Sequence, residues 1–506
     1  ITSGNGSNAV VKLARIRTQG FLKISDYSKI EIGDGYIIGV IMYSDEDLTT
    51  RVGSSGWLKS GVDYTNVDML TTAPGAKYFR FQIKDANTGE GDLDINNLAA
   101  LGLNLVVSDG TEEEPDQGEV VEPEYNDPPE SYAQFITNRG NGLKNTFAKL
   151  NKGEEINVVY MGGSATKGTG IADFAERELY AWRGLASKWF VNNAGNGKVI
   201  NNNSAYGNTG TLFGAYRLQS EVLPLEPDLV FIEFSVNDKY NKYERPELDI
   251  GSQYEAIIRR LRKEYPNCDI LTLFIVEQAD NGKICSTARL HDSIAKEYGI
   301  PSINMGEAIC HTIDVTGRPW KYYFKDEVHP NIAGNEVYYN VVAEYLEAQK
   351  AAAGTNETVT DHTVPLAISD KLFNTNVEFI DMSQKYLEDT AALGTTGFVY
   401  SDNPNDNHML NSLSGVAKAT ASNNSAIAVQ FTGSELAMSF RANNFYACNV
   451  SIDGGEYVEV KYDDVWPMVL AKDLDPTVQH TALIKPVFTG TSGHVLNIQG
   501  FFVRDE

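Results

Sequence analysis

Between residues 131 and 353, short apolar runs alternate with amphipathic stretches, and this alternation restricts the fold more than any other feature. The runs are INVVYM (156–161), KVINN (198–202), DLVFIEFS (228–235), CDILTLFIV (268–276) and IPSINM (300–305). Between them lie segments with helical periodicity, such as QYEAIIRRLRKEY (253–265) and STARLHDSIAKEYG (286–299). NEVYYNVVAEYLEAQKAAAG (335–354) closes the series as a final helix. Repeated strand–helix–strand units with nearly continuous apolar strands predict a parallel sheet covered by helices on both faces, an α/β domain.

The chain has 506 residues, enough for about three domains of roughly 150 residues each. Residues 109–130, DGTEEEPDQGEVVEPEYNDPPE, hold ten acids, four prolines and no Lys or Arg. Such a segment has nothing to bury and extends by self-repulsion, so it reads as a linker. Before it, residues 1–108 contain short alternating runs such as GYIIGVIMYS and KYFRFQIKD, which predict a small β-sandwich. After 353, the stretch 354–372 reads as a second linker. Residues 373–506 are again β-like, with SAIAVQFTG, ELAMSFRA and VLNIQGFFV, and predict a second β-sandwich of the jelly-roll kind.

Lys and Arg number 42 against 68 Asp and Glu, a net charge of −26. A surface so acidic repels phosphate backbones and anionic lipid, so nucleic acid is not an expected partner. The longest apolar run, ILTLFIV, falls far short of the roughly 20 residues that span a bilayer, and no membrane insertion is expected. Cys268, Cys285, Cys310 and Cys448 are widely spaced without a CxxC pair, which suits neither a zinc site nor a dense disulfide framework. A chain beginning at Ile1 is expected to be a mature or trimmed form.

In open α/β sheets, ligands sit beyond the carboxyl ends of the strands. After the first main strand comes Gly162-Gly163-Ser164, and after the second NNNSAYGNTGT with Gly207. The third is followed by Ser235-Val236-Asn237-Asp238, and a long loop after the last ends in FKDEVHPN with Asp326 and His329. A phosphate loop requires GxxxxGK[ST], but Lys167 precedes Gly168 here, and Gly168-Thr169-Gly170 runs into IADF rather than a GxGxxG. A nucleophile reading needs a base held in one tautomer. Asp326 stands three residues before His329, so one turn can aim the carboxylate at Nδ1 and leave Nε2 for Ser164. The plainer readings are a surface turn in which Asp326 caps the last helix, an Asn237-Asp238 turn bonding its own backbone, and a turn glycine at 207.

These residues resemble the SGNH, or GDSL-like, hydrolase superfamily, named for a Ser, Gly, Asn and His in four blocks. The blocks are YMGGSATKG, NSAYGNTGT, EFSVND and DEVHP, over residues 131–350. The resemblance implies a flavodoxin-like three-layer domain with Ser164 as nucleophile, His329 as base and Asp326 as its orienting acid. It also implies the Gly207 N–H, the Asn237 side chain and the Ser164 N–H as oxyanion donors, with no metal or cofactor needed. The family's usual GDS is Gly-Gly-Ser here, and the second glycine is expected to let backbone approach the acyl oxygen. No GxSxG occurs, so the α/β-hydrolase elbow is not the alternative.

Flanking β-sandwiches resemble those of exported bacterial enzymes acting on polysaccharides. The expected activity is therefore a secreted or cell-surface O-acetyl esterase whose partner is an acetylated polysaccharide or oligosaccharide. Trp320 and Tyr322, just upstream of the DEVHP block, are candidate platforms for a sugar ring, as are Trp57 and Trp466 in the outer modules. Packed core is the competing reading for each tryptophan. Two rival functions are a lipid or long-acyl esterase on the same residues and a non-catalytic glycan-binding or adhesion protein.

Overall fold

The computed structural model describes residues 16–17, 22–32, 36–44, 51–59, 64–85, 104–107, 125–354, 357–403, 415–419, 425–489 and 494–505. The chain divides into two compact units, Ile1–Pro123 and Glu124–Glu506.

In the first unit, a five-stranded and a three-stranded antiparallel sheet surround Ile30, Ile38, Val40, Met69, Phe79 and Ile83. Trp57 lies on the strand Arg51–Lys59, and its side chain is outside the described residues. Most of the acidic 109–130 segment is also outside them. Its last residues are tied to the second unit's own helix end, where Asn126 donates to the carbonyls of Thr316 and Val315.

The second unit is built on a six-stranded sheet. Ile156–Gly162 pairs in parallel with Val199–Ala205 on one side and Leu229–Glu233 on the other. Asp269–Phe274 and Ser302–Asn304 extend the sheet in parallel, and Ile136–Thr137 closes the edge antiparallel. Chain order reverses on either side of Ile156–Gly162, and the crevice at such a switch point is where α/β sheets bind ligands. Leu229–Glu233 and Asp269–Phe274 are buried at every residue, as strands covered on both faces must be. On one face Tyr160 stacks on Phe231 at 5.0 Å, with Trp182 and Phe190 packed edge-on against Phe231.

Residues 373–505 form a six-stranded and a four-stranded antiparallel sheet around Ile427, Phe440, Ile498 and Phe502. The same core takes in Tyr206, Leu212, Phe213 and Tyr216 of the α/β domain, so the two parts share one apolar interior. Trp466 belongs to it, 4.7 Å from Phe440 and 6.2 Å from Phe213, ring centroid to centroid. Between the two parts, residues 357–372 lie strapped to the α/β domain. His362 Nε2 meets Asp269 Oδ1 at 2.9 Å, Arg259 and Arg262 donate to the carbonyls of Pro365 and Thr363, and Glu255 accepts from the N–H groups of Ile368 and Ser369.

Candidate active site

The Ser164 turn starts where the strand Ile156–Gly162 stops. Gly163 caps the four-residue helix Ser164–Lys167, putting Ser164 at its first position, where a backbone N–H has no partner inside the helix. Two close approaches require glycine nearby. A β-carbon on Gly163 would run into Asn237 Oδ1, and one on Gly170 would run into the carbonyl of Pro330, beside His329. The room left by Gly163 is thus filled by the Asn237 amide, which gives the Gly-Gly-Ser sequence a steric reason.

The histidine arrives on a pinned loop. Phe324 and Pro330 form an antiparallel bridge, and Lys325 N–H donates to the His329 carbonyl at 2.9 Å. Asp326 does not cap the following helix; Asn331 does, accepting from Gly334 N–H. Asp326 instead accepts from the N–H groups of Val328 at 3.0 Å and His329 at 2.8 Å, and from His329 Nδ1 at 2.8 Å. Burial pushes its carboxyl up, but these hydrogen bonds outweigh burial and hold it below its ordinary value of 3.8. An ionised carboxylate on Nδ1 fixes the proton there and leaves Nε2 as acceptor. His329 Nε2 lies 2.8 Å from Ser164 Oγ, so the serine hydroxyl donates to it.

Asn237 and Asp238 open the helix Ser235–Glu244 rather than a turn. Asp238 is fully buried and accepts from Thr211 N–H at 2.7 Å and from the Thr211 hydroxyl. His291 Nε2, stacked on Tyr254, lies 2.9 Å from it. One carboxylate thereby fixes the second block against the third. Gly207 adjoins Ser164, since a β-carbon placed on it would lie 3.9 Å from Ser164 Cβ, and Asn208, at φ 59°, makes the turn. Asn208 Nδ2 reaches Asp464 Oδ1 of the C-terminal sandwich at 3.0 Å.

The structure therefore brings Ser164, Asp326 and His329 into one hydrogen-bonded line, with Gly207 and Asn237 against the Ser164 turn. Trp320 is a neighbour of the Asp326 loop. Its indole N–H donates to the Asp326 carbonyl at 2.8 Å, and one ring face stacks on Phe324 at 3.8 Å. Tyr322 is exposed, with the Arg318 guanidinium 4.2 Å over its ring. Asp238, Thr211 and a buried bond from the Thr166 hydroxyl to the Glu233 carboxyl were not singled out from sequence. The only signal for Asp238 was its place beside Asn237.

Residues 160–337 match the GDSL-like Lipase/Acylhydrolase family. The central domain is a GDSL-like acylhydrolase domain. Its matched span opens two residues before Gly162 and runs past His329, so it contains all four blocks of the site. No curated protein sequence matches the chain. Among solved structures, the chain is similar in fold to a two-domain esterase, CEX, active on acetylated mannans. That likeness has a TM-score of 0.56 at 21% identity and covers 73% of this chain and 97% of the other. The same esterase co-crystallised with mannopentaose matches with a TM-score of 0.56 at 19% identity, over the same shares of the two chains. At these identities the likeness is one of fold.

Proposed function

We propose that the protein is a serine esterase that removes O-acetyl groups from an acetylated polysaccharide through an acetyl-serine intermediate. The observation that carries the reading is the Ser164–His329–Asp326 line, with 2.8 Å at each of its two links. In this reading Ser164 Oγ attacks the acetyl carbonyl as His329 Nε2 takes its proton. The tetrahedral oxyanion is met by the Ser164 and Gly207 N–H groups and the Asn237 amide. His329 then passes the proton to the departing sugar hydroxyl, leaving acetyl on Ser164. Water, deprotonated by the same imidazole, releases acetate and restores the serine. Asp326 stays ionised throughout and stabilises the imidazolium.

The likeness of fold to an esterase active on acetylated mannans supports a glycan substrate. Next to the acid's loop, a cleft of about 420 Å³ is lined by Trp320, Phe324, Gln278 and Asp326, and the proposal seats a sugar ring there. Tyr322 is a second proposed contact. The test is acetate release from acetylated glucomannan, xylan and pectin by the parent and by Ser164→Ala. Release by the parent and its loss in the variant are expected; equal release by both would remove Ser164 from the reaction.

One observation favours a long-acyl ester instead. The helix Phe174–Tyr180, just after the nucleophile turn, exposes Phe174 at 65% and Leu179 at 55%. An acetyl esterase prefers 4-nitrophenyl acetate to the long-chain ester, and the reverse preference would favour this second reading.

A further inference from the structure

We propose that Glu233 is a positioning residue for acyl transfer, suspending both ends of the nucleophile turn beneath Ser164. This rests on the reading of Ser164 as nucleophile. Glu233 ends the strand Leu229–Glu233, beside Gly162 in the parallel register. Its backbone carbonyl accepts from Gly163 N–H at 3.2 Å, and its side-chain Oε2 accepts from Thr166 Oγ1 at 2.9 Å. Gly163 and Thr166 bracket Ser164, so one residue holds the turn before and after the nucleophile. Glu233 is 1% exposed and Thr166 fully buried, and Oε1 is buried without a hydrogen-bond partner among the described residues.

A charge in that position is costly, because only one of the two carboxylate oxygens has a side-chain donor. Among the described residues, two acids interact with it electrostatically, Asp238 on the helix Ser235–Glu244 and Tyr338 on the helix Ile332–Ala352. Burial pushes the carboxyl up from 4.5 to about 7, with the hydrogen bond from the Thr166 hydroxyl pulling the other way. Glu233 is therefore a neutral acid through the mildly acidic range. Above it, an anion forms under a site that must itself develop negative charge on the acyl oxygen, and the two repel across a water-poor interior. The sign for stability follows from the raised value. The contribution of Glu233 is complete below pH 4.5 and is lost as pH rises through about 7.

The test compares kcat and KM for 4-nitrophenyl acetate between pH 5 and 9 in the parent, Glu233→Gln, Glu233→Ala and Ser164→Ala, with melting temperatures over the same range. The parent is expected to lose kcat above pH 7. Glu233→Gln, a neutral side chain of the same shape, keeps activity at pH 6 and lacks that loss. Glu233→Ala lowers kcat by about 10–10²-fold with KM little changed, the size expected when a reacting group is misplaced. A Glu233→Gln profile superimposable on the parent's, or a Glu233→Ala variant with unaltered kcat, overturns the proposal. If the parent shows no turnover, or Ser164→Ala retains it, the esterase reading falls instead. Melting then still decides Glu233: the gap between Glu233→Gln and the parent must widen as pH rises, and a gap flat with pH overturns it.

Discussion

The edge of the sheet that carries Ser164 and the side that carries the helix Thr211–Arg217 are held by opposite means. At the Ser164 edge, polar groups fix one another over short distances. His329 is aimed by Asp326, Asp326 by the backbone of its own loop, and that loop by Trp320 and by Gln278 N–H on the Glu327 carbonyl at 2.8 Å. On the other side, the helix Thr211–Arg217 is buried at every residue and packs Phe213 and Tyr216 against Phe502 at 5.9 and 5.6 Å. An ion pair there is also buried. Arg504 grips Glu435 through Nε at 2.7 Å and Nη2 at 2.9 Å, and the Tyr216 hydroxyl donates to the same carboxylate. The contrast teaches that damage at the first edge should appear in rate, and damage at the second in stability.

The largest effect belongs to Ser164→Ala, expected to cut kcat by about 10⁴-fold or more with melting temperature unchanged. A matching loss of stability would blur the division. Glu435→Ala comes next, since it strands the Arg504 charge in the interior. Denaturant unfolding should show a loss of about 3–5 kcal/mol, while kcat at 25 °C stays near the parent's. Asn237→Ala is expected to lower kcat by about 10²–10³-fold, as for one lost oxyanion donor, with a small effect on unfolding. The smallest is Trp320→Phe. It keeps the stack on Phe324 and removes one hydrogen bond to the acid's loop, worth about 1 kcal/mol, so kcat should drop several-fold. If Trp320→Phe instead raises KM only for glycan substrates, the indole acts on sugar and not on the loop.

The same contrast explains what the sequence disclosed. The strands of the α/β domain were legible because burial on both faces demands runs such as DLVFIEFS, and Ser164, Gly207 and Asn237 because each lies within a few residues of a strand end. Asp326 was legible because its partner is three residues away. Asp238 was not, because its work is done on Thr211, 27 residues earlier, and on His291. Glu233 read as one polar residue in a strand, since its partner Thr166 lies 67 residues back. Residues 357–372 read as a linker on composition alone. Their bonds to Asp269, Glu255, Arg259 and Arg262 depend on long-range placement that no local pattern encodes. The helix Thr211–Arg217 did carry a signal, because LFGAY is apolar all round and such a helix must be covered on every side. Arg217 obscured it. Its guanidinium is fully buried, bonded to the Ser204 carbonyl at 2.7 Å and lying 4.5 Å over the Tyr206 ring. Trp466 shows the converse, a residue whose apparent promise as a sugar platform is used up in joining the sandwich to that helix.

The most direct test of the central claim is to quench the enzyme during turnover of 4-nitrophenyl acetate and map acetylated peptides by mass spectrometry. One acetyl group is expected on Ser164, formed within the first turnover and absent from Ser164→Ala. Acetate release with no acetyl on Ser164, or with the acetyl on another residue, would contradict it.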